Sequence, residues 1–264
     1  MNVTMEIVEI TPKLAKEWLN GHNRHLRDTV WQRYARDMAA GNWELNGETI
    51  KRGEDGTTQD GQHRLKAVIE SGCTIRSVVV SGLPVSAQET TDRGLPRNIA
   101  DALRLRGEVD VNVLSGAITQ AFVLLSPMPG DTRFWPSTRE ALAYLEANAG
   151  IRSSCRVGNR ANEALRTPAT TTAALHHIFS LIDADDADAF VDQLVTGAGL
   201  EAGSPILRLR EIMLKENTVQ RRMPRHRLQA LWIKAWNAWR AGKSVQVLTW
   251  KPGGSRPEAF PKAA

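Results

Sequence analysis

Cysteine is scarce, with two residues in 264, Cys73 and Cys155. They show none of the paired spacing of a zinc site or a disulfide framework, so a thiol-built scaffold is excluded and a reducing compartment is expected. Long apolar runs are missing as well. No stretch approaches the roughly 20 apolar residues that span a bilayer, and Met1 to Ile10 mixes Glu6 and Glu9 with its apolar residues. The expectation is a cytoplasmic chain with no membrane partner. Internal repeats and low-complexity tracts are absent too.

What is present is an ordinary globular composition, 42% hydrophobic and 24% charged, enough to fill a core in one large domain or two smaller ones. Lysine and arginine outnumber the acids by 34 to 29, a net charge of +5. The resulting pI of about 9.5 leans toward polyanionic partners, nucleotides or nucleic acid.

Periodicity divides the chain in two. Met5 to Ile10 alternates as a short strand, and Thr11-Pro12 has the form of a helix start, with Thr as cap and Pro in the first turn of a helix reaching Trp18. Val30, Tyr34, Ala35 and Met38 fall three and four apart, predicting an amphipathic helix from Asp28 to Ala40. Thr49 to Lys51 reads as a strand, Glu54-Asp55-Gly56 as a turn and Leu65 to Glu70 as a helix. The β-branched run Ile75 to Val80 is the strongest strand signal. Beyond Asp101 helical spacing dominates, at 99–106, 111–126, 137–148, 158–165, 169–183, 186–196, 205–215 and 224–241. The expected fold class is therefore α+β: a small mixed sheet-and-helix domain over 1–105, a mostly helical domain over 106–250, and a loose tail over 251–264.

One segment carries chemistry. Asp60-Gly61-Gln62-His63-Arg64 leads into a helix through a glycine, where bare amides and a positive dipole end suit an anion. Gly61 permits a positive φ or close backbone approach, Arg64 adds a fork of donors for phosphate, and His63 can donate or shuttle a proton. Asp60 has three available roles: helix cap, ligand of a magnesium ion, or proton acceptor. Read blandly, the same residues are a cap and a solvated first turn.

The order Trp43, Asn46-Gly47-Glu48-Thr49-Ile50, a glycine turn, Asp60-Gly61-Gln62-His63-Arg64-Leu65, Ser71-Gly72 and a β-branched strand resembles the ParB/sulfiredoxin superfamily. It is most similar to the phage-type branch with an Asp-Gly-Gln-His-Arg signature. The likeness covers roughly residues 5–105 and includes Asp92-Arg93-Gly94-Leu95-Pro96-Arg97 and Asp101. It implies a nucleotide pocket whose phosphates meet Gly61, Gln62, His63 and Arg64, with Asn23-Arg24 reaching a second phosphate. Sulfiredoxins have a catalytic cysteine in this motif, where this chain has Gln62-His63, which argues against sulfinic-acid reduction. Segregation ParB proteins have Gly-Glu-Arg-Arg, so the kinase-like branch is the nearer match.

The resemblance implies ATP or another nucleoside triphosphate with magnesium and Glu48 as a catalytic base, beside Asp60 and His63, which local chemistry offers as catalytic groups. Read without it, Glu48 is equally a surface residue beside a strand. Asp92, Arg93 and Arg97 sit in a loop suited to substrate or DNA, or to a structural Asp-Arg pair. The cluster Arg221 to Arg227, including Arg222 and Arg225, is the best DNA candidate outside the first domain. Trp232, Trp236 and Trp239 share a helix face and are expected in the core, and His176-His177 are expected as ordinary helical histidines rather than metal ligands. The leading expectation is an ATP-dependent phosphotransferase acting on a hydroxyl, such as that of a hydroxymethyl-pyrimidine in phage DNA. The alternatives are a nucleotide-gated DNA-binding protein and a ParB-like nuclease.

Overall fold

The structure is a computed structural model that describes residues 3–19, 26–90, 98–216 and 223–264. It is an α+β fold whose C-terminal part is mostly helical. The chain forms two compact units, one of residues 1–98 with 132–140, the other of 99–131 with 141–264. The division thus falls after Asn98 rather than at 105, and the first unit also recruits Thr132–Glu140.

In the first unit four strands, β1 (Thr4–Ile10), β2 (Thr49–Gly53), β3 (Thr58–Asp60) and β4 (Ile75–Leu83), form one sheet in the order β1-β4-β2-β3. β4 runs antiparallel to β1 and parallel to β2, and β2 is antiparallel to β3. Helices α1 (Pro12–Trp18), α2 (Asp28–Ala39) and α3 (Gln62–Ser71) belong to the same unit. Thr11 caps α1 as its sequence predicts, its hydroxyl accepting from the Leu14 amide at 3.2 Å. Ile10, Ile50, Ile75 and Val79 from the strands bury against Ala15, Met38, Leu65 and Val68 from the helices. The segment 132–140 joins this unit through charge as well as packing. Arg36 on α2 donates to both carboxylate oxygens of Glu140, at 2.9 and 3.1 Å, and Ser137 donates to Asp37 at 2.8 Å.

β3 was not expected as a strand, because three residues carry too little alternation to be recognised. Its presence lets the chain turn directly into α3, which begins at Gln62 instead of Leu65.

The second unit is a bundle of α4 (Ile99–Leu105), α5 (Val111–Leu124), most of α6 (Thr138–Ala147), α7 (Ile151–Leu165), α8 (Ala169–Ser180), α9 (Ala184–Thr196), α10 (Pro205–Glu216) and α11 (Arg225–Arg240). α7 starts seven residues before its expected position; its buried side runs Ile151, Ser154, Cys155, Gly158, Ala161 and Leu165, with small residues between its two large apolar ends. The small residues let α8 approach closely: a Cβ on Gly158 would lie 2.4 Å from the Ala169 carbonyl oxygen. Trp232 and Trp236 are fully buried, as expected, among Phe179 and Phe190.

The expected loose tail is held instead. Lys234 pairs with Glu258 at 2.7 Å, Trp236 Nε1 donates to the Ala264 carbonyl at 3.0 Å, and Asn237 bonds both Lys262 and Ala264. A segment without helix or strand is fixed here by α11 side chains that no local pattern announces.

His176 and His177 are both buried on α8. His176 Nδ1 and Nε2 lie 2.9 Å from Ser154 Oγ and Asp188 Oδ1, and His177 Nε2 lies 3.0 Å from Tyr144 Oη. They are satisfied core residues, as expected. Burial, and secondarily His176, pushes the His177 pKa down from 6.5 to about 4, and burial also lowers that of His176. Unfolded, both rings take up a proton near pH 6.5, while the folded unit resists it, so stability falls as pH drops from 6.5 toward 4. The lowered Glu108 and Glu258 act only below their ordinary value of 4.5. The melting temperature is therefore expected to fall between pH 6.5 and 4.5, and His177→Gln to flatten that slope; an unchanged slope in the variant rules out His177 as its source.

Candidate phosphate site

The site is assembled by the β2-β3 register. Lys51 stands opposite Asp60, so an antiparallel pairing brings a cation beside the signature carboxylate. The chain then bends at Gly61, with φ +96°, and enters α3. A side chain here would be strained twice, because the left-handed conformation disfavours a Cβ and because that atom would meet Ile50 at 3.0 Å from Cγ1 and 3.3 Å from Cα. The glycine thus sets the close approach of α3 to β2.

Asp60 is not the cap of α3. The N-cap is Gly61, with no side-chain hydrogen bond, and Asp60 Oδ1 instead accepts from the adjacent Gly61 amide at 2.6 Å. Its other oxygen lies 3.5 Å from Lys51 Nζ and 3.7 Å from Arg64 Nη2. One carboxylate therefore faces two cations beside the positive end of a helix ten residues long, leaving a net positive cluster.

Arg64 is the most constrained member. Its side chain is 11% exposed, and its Nη1 is buried without an acceptor. A guanidinium donor deprived of both water and protein acceptor is costly.

The remaining candidates divide clearly. Glu48 is exposed, two residues before the Ile50 that Gly61 touches, and thus at the end of β2 where β3 hands over to α3. His63 Nε2 accepts from the Arg27 amide at 3.0 Å, which ties the start of α2 to the first turn of α3. That lone pair is occupied, so His63 positions the α2 entrance. Gln62 is buried in the same turn. Asn23, Arg24, Asp92, Arg93, Arg97 and Arg222 lie outside the described residues. Arg225 is exposed at the start of α11, a helix with no acidic residue in its first turn. A cation there opposes the helix dipole and gains from a polyanion.

Lys51 is the member that sequence reading missed. Its signal is tertiary: only the pairing of β2 with an unrecognised β3 places it on Asp60.

Among the described residues no three His, Cys, Asp or Glu side chains come together as metal ligands. Asp60 has its oxygens turned to a backbone amide and two cations, so it does not stand as a free carboxylate ligand for a magnesium ion in this geometry. Among the described residues no helix is long and apolar enough to cross a membrane. No family model, curated protein or solved structure gives a significant match to this chain.

Proposed function

We propose that the turn at Asp60–Arg64 binds the phosphates of ATP or another nucleoside triphosphate, and that the chain is a phosphotransferase delivering the terminal phosphoryl group to a hydroxyl. The observation that carries the phosphate reading is the pair of cations, Lys51 and Arg64, that meet at Asp60 beside an α3 N-terminus without a side-chain cap. The reaction class is supported by the resemblance to the Asp-Gly-Gln-His-Arg branch of the ParB/sulfiredoxin superfamily, and the hydroxymethyl-pyrimidine acceptor by that branch's phage context and the basic charge.

In this reading Arg64, Lys51 and the α3 dipole neutralise the charge that gathers on the leaving diphosphate. The acceptor oxygen bonds to the γ-phosphorus as the bond to the β-γ bridging oxygen breaks. Its proton passes to a carboxylate, Glu48 or Asp60. Magnesium, were it to enter with the triphosphate, would add to this neutralisation, with Asp60 the nearest carboxylate.

Asp60→Asn separates binding from transfer. Removing one negative charge beside two cations should tighten triphosphate binding several-fold; label transfer from γ-labelled ATP should fall at least a hundredfold where Asp60 is the proton acceptor and hold where Glu48 is. The assay compares hydroxymethyl-pyrimidine DNA with plain DNA in magnesium buffer. Binding without transfer to either DNA by the unmodified chain would refute the kinase and favour a nucleotide-gated DNA-binding protein.

A further inference from the structure

Helices α7 and α9 of the second unit stand side by side on α8, whose residues from Thr171 to Phe179 are all buried. His176 on α8 fixes their registration, lying 2.9 Å from both Ser154 on α7 and Asp188 on α9. Farther along, Arg160 on α7 reaches Asp192 on α9 at 3.2 Å. Both contacts advance toward the C-terminal ends, so the two helices run in the same direction. Arg156 is then level with Asp188, and Arg160 with Asp192. Between the helices lies a cleft of about 440 Å³, lined by these four charged residues together with Val157 and Ala189.

The two walls of the cleft carry opposite charge. α7 has three arginines and one glutamate, whereas α9 has four aspartates and neither lysine nor arginine. On each wall the lining charges are four residues apart, about 6 Å along the helix. They are also open to solvent. The Arg160 and Asp192 side chains are 51% and 55% exposed, and that of Asp188 is 72% exposed although His176 holds it in place. Arg156 is exposed and makes no ion pair among the described residues. Exposed charges arranged in this way contribute little to the stability of a single chain.

A surface bearing one cationic row and one anionic row at equal spacing is complementary to itself. A twofold axis along the cleft sets α7 of one copy over α9 of the other and keeps the levels, so Arg156 meets the partner's Asp188 and Arg160 the partner's Asp192. An axis across the cleft sets α7 on α7 and α9 on α9, like charge on like. Charge therefore selects the first. A nucleic acid fits this face less well, because phosphates drawn to α7 come within about 10 Å, one helix spacing, of the α9 aspartates.

We infer that the α7–α9 cleft is the interface of an isologous dimer, and that its partner is a second copy of this chain. Arg160 and Asp192 of the two copies then alternate in sign around the axis, over the half-buried Val157 and Ala189. The inference is independent of the phosphate reading, since every residue it uses belongs to the second unit.

The test is sedimentation equilibrium of the full chain at about 50 mM and about 500 mM salt, because screening weakens association driven by exposed charge. At the lower salt the mass should rise toward twice 29.2 kDa as concentration approaches about 200 μM, and at the higher salt it should return to the single-chain value. Arg156→Glu with Arg160→Glu, and separately Asp188→Lys with Asp192→Lys, should each weaken self-association at least about tenfold, and mixing the two variants should restore it. Should the lysine variant lose its fold along with the bond to His176, Asp192→Lys mixed with Arg160→Glu makes the same comparison at one level of the cleft. A chain that stays monomeric overturns the inference. So does a dimer that both double variants retain, or a mixture of folded variants that remains monomeric. A monomer whose binding to duplex DNA is lost in the glutamate variant overturns it as well, and makes α7 a nucleic-acid ridge.

Discussion

Replacing Arg64 with alanine is expected to weaken triphosphate binding about a hundredfold while changing the stability of the chain by about 1 kcal/mol or less. The first figure follows from the strength of charge-assisted hydrogen bonds, roughly 1.5–3 kcal/mol each, where about 2.8 kcal/mol is a hundredfold in affinity. The second follows from what Arg64 lacks. Its nearest carboxylate contact, Asp60 Oδ2, lies at 3.7 Å, longer than a hydrogen bond. Asp60 keeps Lys51 and the Gly61 amide after the substitution, and the buried Nη1 without acceptor disappears.

Arg64→Lys should recover only part of the affinity, because an ammonium is a point charge that cannot present the planar fork. A competing structural role predicts the reverse pattern. If Arg64 holds the fold, the alanine variant melts far earlier and whatever protein remains folded binds tripolyphosphate normally. Titration and a thermal melt on the same preparation decide between them.

The legibility of this chain in its sequence varied with how local the physics was. α1 was predicted at its observed bounds because its cap and proline act within four residues. The later helices also followed, wherever the apolar spacing was strong. The first half of α7 was missed: its buried side passes from Ile151 through Ser154, Cys155 and Gly158, small residues that its close contact with α8 requires. β3 was missed for its length, and with it Lys51. The bend at Gly61 was foreseen, but the pairing of Asp60 with two cations was not, since a carboxylate just before a glycine reads in one dimension as a cap, a magnesium ligand or a proton acceptor. Only the sheet register shows it turned to Lys51 and Arg64. The docked tail was illegible for the same reason, its anchors being more than twenty residues away on α11.

The largest effect on stability should come from Trp236→Ala, at about 3–5 kcal/mol, or a fall of roughly 10 °C or more in the melting temperature of the second unit. Trp236 is fully buried, stacked on Phe179 with ring centroids 4.3 Å apart and planes within 4°. It meets Phe190 edge-on at 5.6 Å and Trp239 at 5.8 Å, so deleting it opens a cavity touched by three other aromatic rings. It also removes the indole donor that holds the Ala264 carbonyl, loosening the tail along with the core. Trp232 supplies the control. It is equally buried, but its indole nitrogen has no acceptor, so Trp232→Phe removes a costly unsatisfied donor along with some volume. Trp236→Phe removes a satisfied one. The phenylalanine variant at 236 is therefore expected to lose more stability than that at 232, and to make the segment after Lys251 more sensitive to limited proteolysis. Equal losses with a tail equally resistant in both would mean that the 3.0 Å bond to Ala264 contributes nothing to holding it.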